Sequence, residues 1–163
     1  MKSDVVAIDG FAYAGKSQIA KALSQLTGFA YINTGHMYRA LAKLAIENGV
    51  AAGNEKELLG ILKKTTIEFV PFKGEWRTMV DGKDWTDILD DSEIVLFSSK
   101  IAAIPSVRQI FTEIQRGYAE TQTIIMEGRD IGSVVFPNAR WKFFITASLE
   151  IRAKRMLKMI SKE

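Results

Sequence analysis

An unbroken apolar run, Val5-Val6-Ala7-Ile8, leads into a glycine-rich stretch and then into Gln18-Ile19-Ala20-Lys21-Ala22-Leu23, which has helical composition. Apolar runs of this length belong to strands covered on both faces of a parallel sheet. The opening therefore predicts strand, loop and helix in succession. Phe29-Ala30-Tyr31-Ile32 predicts a second short strand. Thr34 then stands where an N-cap would start a helix from about His36 to Asn48, closed by Gly49, with Met37, Tyr38, Leu41, Leu44 and Ala45 on its buried face. Asn54 is placed to cap another helix running through Lys64.

After Thr66 the period changes. Ile67-Glu68-Phe69-Val70 and Trp76-Arg77-Thr78-Met79-Val80 flank the turn Lys73-Gly74-Glu75, a pattern that predicts an antiparallel hairpin. Helices follow over about Ser92 to Ala103 and Ser106 to Glu120, the second started after Pro105. Thr123 to Glu127 and Trp141 to Ile145 return to the composition of buried strands, and a last helix begins near Leu149. Strands alternating with helices predict an α/β fold with a parallel sheet, and the small β element between helices predicts an inserted subdomain. No internal repeat or low-complexity tract interrupts this order.

The loop after the first strand changes the picture from architecture to chemistry. Gly10-Phe11-Ala12-Tyr13-Ala14-Gly15-Lys16-Ser17 carries two glycines, a lysine and a hydroxyl residue at the spacing of a phosphate-binding loop. A chain wrapped around a triphosphate must turn backbone N–H groups inward and approach closely, which favours residues without a Cβ. The following helix points its positive end at the same anion. Lys16 is expected to reach the β- and γ-phosphates of a nucleotide, and Ser17 to ligate the accompanying Mg²⁺. An ordinary glycine-rich turn is the bland alternative. Tyr13 is large for this setting, and a positive φ there would cost on the order of 1 to 2 kcal/mol.

Composition narrows the classes. The chain has 163 residues, 47% of them hydrophobic, enough for one ordinary domain with a real core. It has no cysteine, so disulfides, thiolate zinc sites and thiol nucleophiles are excluded. The formal charge of +3 is concentrated from Glu150 to Glu163, leaving the rest balanced, so no nucleic-acid-binding surface is expected. No stretch approaches a membrane span, and Met1-Lys2-Ser3-Asp4 does not read as a signal peptide. These features lead to the expectation of a cytoplasmic monomer acting on small molecules, with neither nucleic acid nor membrane as partner.

Arginines mark three further places. In Asn33-Thr34-Gly35-His36-Met37-Tyr38-Arg39 a strand end meets a helix start, so N–H groups, a hydroxyl and a guanidinium could serve one anion. Equally, Thr34 could be a plain cap and Arg39 part of a solvated face. His36, the single histidine, is expected to be a solvated residue at the helix start. Glu127-Gly128-Arg129-Asp130 lies where a buried strand ends, the edge at which open α/β sheets bind ligands, though a surface turn with an internal ion pair fits the spacing as well. Ser98-Ser99 and Arg108 form the third place.

In order along the chain, Ile8-Asp9-Gly10 through Ser17, Thr34 through Arg39, Ser99 through Arg108 and Glu127 through Pro137 resemble the bacterial cytidylate kinases, and the resemblance continues through Lys142 to Ser148. It implies a three-layer P-loop kinase core over residues 1–35 and 121–163, with a monophosphate-binding subdomain over 36–120 that contains the antiparallel β element. It also implies transfer of the γ-phosphoryl group of ATP to CMP or dCMP, with Mg²⁺. Residues 10 to 17 would bind ATP, and Lys16, Arg39 and Arg129 would be catalytic. Thr34, Arg39 and Arg129 would hold the acceptor phosphate with Arg108 nearby, while Ser99, Arg108 and Asp130 would read the cytosine edge.

The sequence also departs from that pattern. Phe11 stands for a usual proline and Tyr13 for a usual glycine, Gln18 replaces a small residue or threonine, and Asp90-Asp91 occupies the place of an arginine and a threonine. The family continues beyond the helix begun at Leu149 into a mobile lid, so the chain reads as a C-terminally truncated member. Arg152, Lys154, Arg155, Lys158 and Lys162 then read as the charged outer face of an amphipathic helix. Two function classes follow: a cytidylate kinase, or a catalytically impaired nucleotide-binding fragment or partner protein. A GTPase-type switch is disfavoured because no Asn-Lys-x-Asp motif occurs.

Overall fold

The computed structural model describes residues 4–160. The first three residues and Lys162, with the expectations that involved them, lie outside the described residues. In chain order the elements are β1 (Val5–Gly10), α1 (Lys16–Thr27), β2 (Ala30–Asn33), α2 (Thr34–Glu47), α3 (Glu55–Leu62), β3 (Ile67–Phe72), β4 (Glu75–Val80), β5 (Lys83–Asp84), α4 (Ser92–Ile101), α5 (Pro105–Tyr118), β6 (Ile124–Glu127), β7 (Trp141–Ile145) and α6 (Leu149–Ile160). A 3₁₀ turn covers Ile88–Asp90 and a π-turn covers Ile131–Val135. The chain forms two compact units, one made by the chain up to Asn33 and from Gln115 onward, the other by Thr34–Ile114.

The first unit is built on a four-stranded sheet in the order β2-β6-β1-β7. All its pairings are parallel, with Ile8 opposite Glu127, Asn33 opposite Glu127 and Gly10 opposite Ile145. β1 and β6 are buried along their whole length, as their apolar composition requires of central strands. The expected α/β architecture with a parallel sheet is therefore present. β7 differs from expectation: its pattern suggested a buried strand, yet Trp141, Phe143 and Phe144 are exposed, Phe144 at 60%. It is the end strand of the sheet, bonded only to β1, so composition alone misjudged its environment.

In the second unit, α2 packs on α3 and α4 around Met37, Leu41, Ala45, Leu58 and Ile101, all essentially inaccessible. Tyr38 meets Phe111 edge to face with ring centroids 4.7 Å apart. α2 starts at Thr34, earlier than the expected His36, so Thr34 lies in the first turn. Asn54 caps α3 by accepting from the Glu57 N–H at 3.4 Å. The expected hairpin is β3 and β4, joined through Lys73 and Gly74, which both have positive φ. Two consecutive left-handed residues are the geometry of a tight hairpin turn whose twist matches its strands. A second such turn at Asp81-Gly82 adds β5, a strand that the apolar pattern had not revealed.

Candidate active site

The loop between β1 and α1 opens at the carboxyl end of a central strand. Gly10 has φ 149°, and a Cβ on it would lie 2.0 Å from the Ile145 carbonyl oxygen of β7. Gly15, at φ 103°, is the N-cap of α1 and brings no side chain to satisfy that helix's first N–H groups. Tyr13 adopts φ 61°, so the left-handed conformation expected to strain this position is present. Lys16 is buried and folds its Nζ back to donate to the Phe11 carbonyl at 2.8 Å, closing the loop into a ring.

Two buried carboxylates hold the loop's surroundings. Glu127, at the end of β6 and 3% exposed, accepts from the Ser17 hydroxyl at 3.0 Å and from the Tyr31 hydroxyl. Asp9 accepts from the Ile131 and Gly132 N–H groups, each at 2.8 Å, and so anchors the π-turn that follows Arg129 and Asp130. The Gly128 N–H donates to the Ile8 carbonyl at 3.0 Å, placing the Gly128 to Asp130 segment beside the start of the loop. Arg129 is exposed, with Nη1 3.4 Å from the Gly128 carbonyl oxygen.

α6 supplies two more cations. Arg155 donates to the Tyr13 carbonyl at 2.9 Å, and the Arg152 guanidinium lies 4.9 Å from the centroid of the Phe11 ring. The ring of Phe11 in turn meets Phe144 edge to face at 5.5 Å. Arg155 keeps the exposure expected of this helix's basic outer face while also reaching the loop, and Arg152, half-buried, departs from that reading. The Tyr13 carbonyl accepts from Arg155, and the exposed Phe11 ring offers Arg152 an aromatic face that solvent does not.

The other residues singled out from sequence belong to the second unit. Thr34 is buried in the first turn of α2. Arg39, on the same helix, pairs with Asp90 and has Nη1 3.5 Å from the Leu89 carbonyl oxygen. Ser99 is exposed on α4 and donates to the Val95 carbonyl at 3.2 Å, while Arg108 on α5 donates to the Ala102 carbonyl at 3.3 Å. His36 is not solvated: it is 6% exposed, with Nδ1 2.7 Å from the Thr78 hydroxyl and Nε2 3.9 Å from Asp90 Oδ1. The hairpin strand β4 covers it, which the position of a lone histidine at a helix start could not disclose.

The oxygen donors near the loop suit Mg²⁺. Ser17 and Glu127 present a hydroxyl and a carboxylate side by side, the hard ligands that this ion takes alongside substrate phosphates. Among the described residues no group of three or more His, Cys, Asp or Glu side chains could hold a metal ion.

The family model described as cytidylate kinase matches residues 6–163. The chain belongs to the cytidylate kinase family. It is 45% identical over 150 residues to the cytidylate kinase of Lactobacillus gasseri, an alignment covering 92% of this chain and 65% of the relative. With the cytidylate kinases of Listeria monocytogenes and Thermotoga maritima it shares 41% identity, covering 96% of this chain and 70% of each relative. A crystal structure of TT1252 from Thermus thermophilus aligns over 97% of this chain and 73% of that one, at 20% identity and a TM-score of 0.43.

In this cytidylate kinase family chain the loop is legible as a local motif, whereas its supports Glu127, Asp9, Arg152 and Arg155 lie far from it in sequence or carry no motif of their own. The two carboxylates had left a signal. Asp9 follows an apolar run directly and Glu127 ends another, and a carboxylate in a buried strand must find hydrogen-bond donors.

Proposed function

We propose that the chain carries phosphoryl transfer from ATP to CMP or dCMP, giving ADP and the corresponding diphosphate. The observation that carries this reading is the union of Lys16, Ser17 and Glu127 at the shared edge of β1 and β6, in a chain of this family. The Gly10 to Ser17 backbone cradles the ATP phosphates, and Lys16 exchanges the Phe11 carbonyl for phosphate oxygens. Ser17 and Glu127 would hold Mg²⁺. Charge neutralisation of the β- and γ-phosphates is the chemistry that this ion supplies when bound.

By resemblance to the family, Thr34, Arg39 and Arg129 hold the acceptor phosphate with Arg108, while Ser99, Arg108 and Asp130 read cytosine. A carboxylate such as Asp130 accepts from the exocyclic amine, which uracil lacks, so UMP would leave it unpaired. The attacking phosphate oxygen is already anionic and needs no base. A bond from it to the γ-phosphorus forms as the bond to the ADP oxygen breaks, and positioning with charge neutralisation does most of the work. The reading makes the chain a monomeric cytoplasmic enzyme of pyrimidine nucleotide metabolism.

The test supplies purified chain with ATP, Mg²⁺ and, in turn, CMP, dCMP, UMP and AMP, following ADP in a coupled assay. CMP-dependent ADP release that falls about 10²-fold or more in Lys16→Ala and in Arg129→Ala supports the proposal. ATP binding without CMP-stimulated turnover overturns it in favour of a nucleotide-binding role.

A further inference from the structure

Arg39 and Asp90 form an ion pair of unequal exposure: the arginine side chain is 23% exposed and the carboxylate 68%. Arg39 comes from α2, whereas Asp90 closes the 3₁₀ turn Ile88–Asp90, whose Leu89 is fully buried. The turn is therefore anchored and the carboxylate stands out from it over the guanidinium. His36 Nε2 lies 3.9 Å from the same Asp90 oxygen, from the buried side.

We infer that Asp90 sets the affinity of the acceptor site by competing with the acceptor's phosphate for Arg39. The inference rests on the reading of Arg39 as a phosphate ligand. Guanidinium recognises carboxylate and phosphate through the same N–H fork, so one anion displaces the other or shares the fork with it. A pair this exposed is weak enough to open for a phosphate dianion. The Asp90 carboxylate remains on its anchored turn after opening, and at a separation of about 6 Å in a largely solvated setting its repulsion of a dianion amounts to several-fold in affinity. A neutral nucleoside feels no such repulsion. Asp90 thus weakens the hold on the phosphate group while leaving the hold on the base and sugar alone.

Titration calorimetry of the full chain, without ATP or Mg²⁺, separates these contributions using CMP, cytidine and inorganic phosphate as probes. Asp90→Asn is expected to tighten CMP by about 3- to 10-fold and leave cytidine unchanged. Inorganic phosphate should tighten in parallel. CMP affinity in the variant should also fall more steeply with added KCl, because Arg39 then stands as an uncompensated charge. The control Glu47→Gln removes a carboxylate that pairs with Lys43 and should leave CMP binding unaltered.

CMP affinity that is unchanged or weaker in Asp90→Asn overturns the inference, as does a loss shared equally by CMP and cytidine, which would make Asp90 a structural support. Failure of the underlying reading looks different. If the unaltered chain and Arg39→Ala both bind CMP no better than cytidine, Arg39 is not a phosphate ligand and the inference falls with that assignment. Arg39-dependent CMP binding that ignores Asp90→Asn removes only the competition.

Discussion

The Ser17 hydroxyl donates to the Glu127 carboxylate at 3.0 Å, joining the first turn of α1 to the last residue of β6. Because Tyr31 of β2 donates to the other oxygen of the same carboxylate, three elements meet at one buried anion. Glu127→Ala would strand both hydroxyls. We expect it to lower the unfolding free energy by about 2–4 kcal/mol in urea titrations. A loss below about 0.5 kcal/mol would mean that the carboxylate does not organise these elements.

Tyr13 gives a prediction of opposite sign. Its φ of 61° is costly for a side chain with a Cβ, and glycine removes that cost while adding chain entropy to the unfolded state. Tyr13→Gly should therefore raise stability by up to about 1 kcal/mol. Differential scanning calorimetry checks this, and a lowered Tm would show that contacts of the tyrosine outweigh its strain.

Asp9 ties the π-turn to the sheet through two N–H groups. Asn in its place keeps one acceptor oxygen but turns an NH₂ toward the second N–H. Asp9→Asn should cost about 1–3 kcal/mol. Amide exchange should quicken at Ile131 and Gly132 in particular; slow exchange at both would count against the carboxylate as their anchor.

A pH-dependent contribution comes from Asp84 in β5. Hydrogen bonds from the Thr86 hydroxyl and N–H hold its carboxyl below the ordinary value of 3.8, against an opposing effect of burial and with lesser help from the Arg77 charge. A depressed folded value means the contribution is complete above the unfolded pKa and is lost as pH falls through the folded one. Asp84→Asn should lower Tm near neutral pH by at most about 2–4 °C, as suits an exposed site. That difference should close in acid below 3.8. A difference that persists unchanged there would assign it to packing instead.

Apolar runs and turn residues made the strands, the hairpin and most helix starts legible, because those are local properties of neighbouring residues. What escaped notice depended on distant partners. Arg39 and Asp90 are joined across 51 positions, and Arg155 reaches Tyr13 across 142. The burial of His36 depends on β4, and the exposure of Phe144 depends on its place at the end of the strand order. The candidate phosphate-binding loop was readable for the converse reason: its glycines, lysine and hydroxyl all lie within eight consecutive positions, Gly10 to Ser17.

Gly10 also separates two reasons for one letter of that motif. Any side chain there would drive into the Ile145 carbonyl and pry β7 from β1, with or without a nucleotide nearby. A chain with no phosphate to bind would still need this glycine for its sheet. The motif's first position therefore records the architecture, and the proposed phosphate-binding role is tested at Lys16 and Ser17 instead.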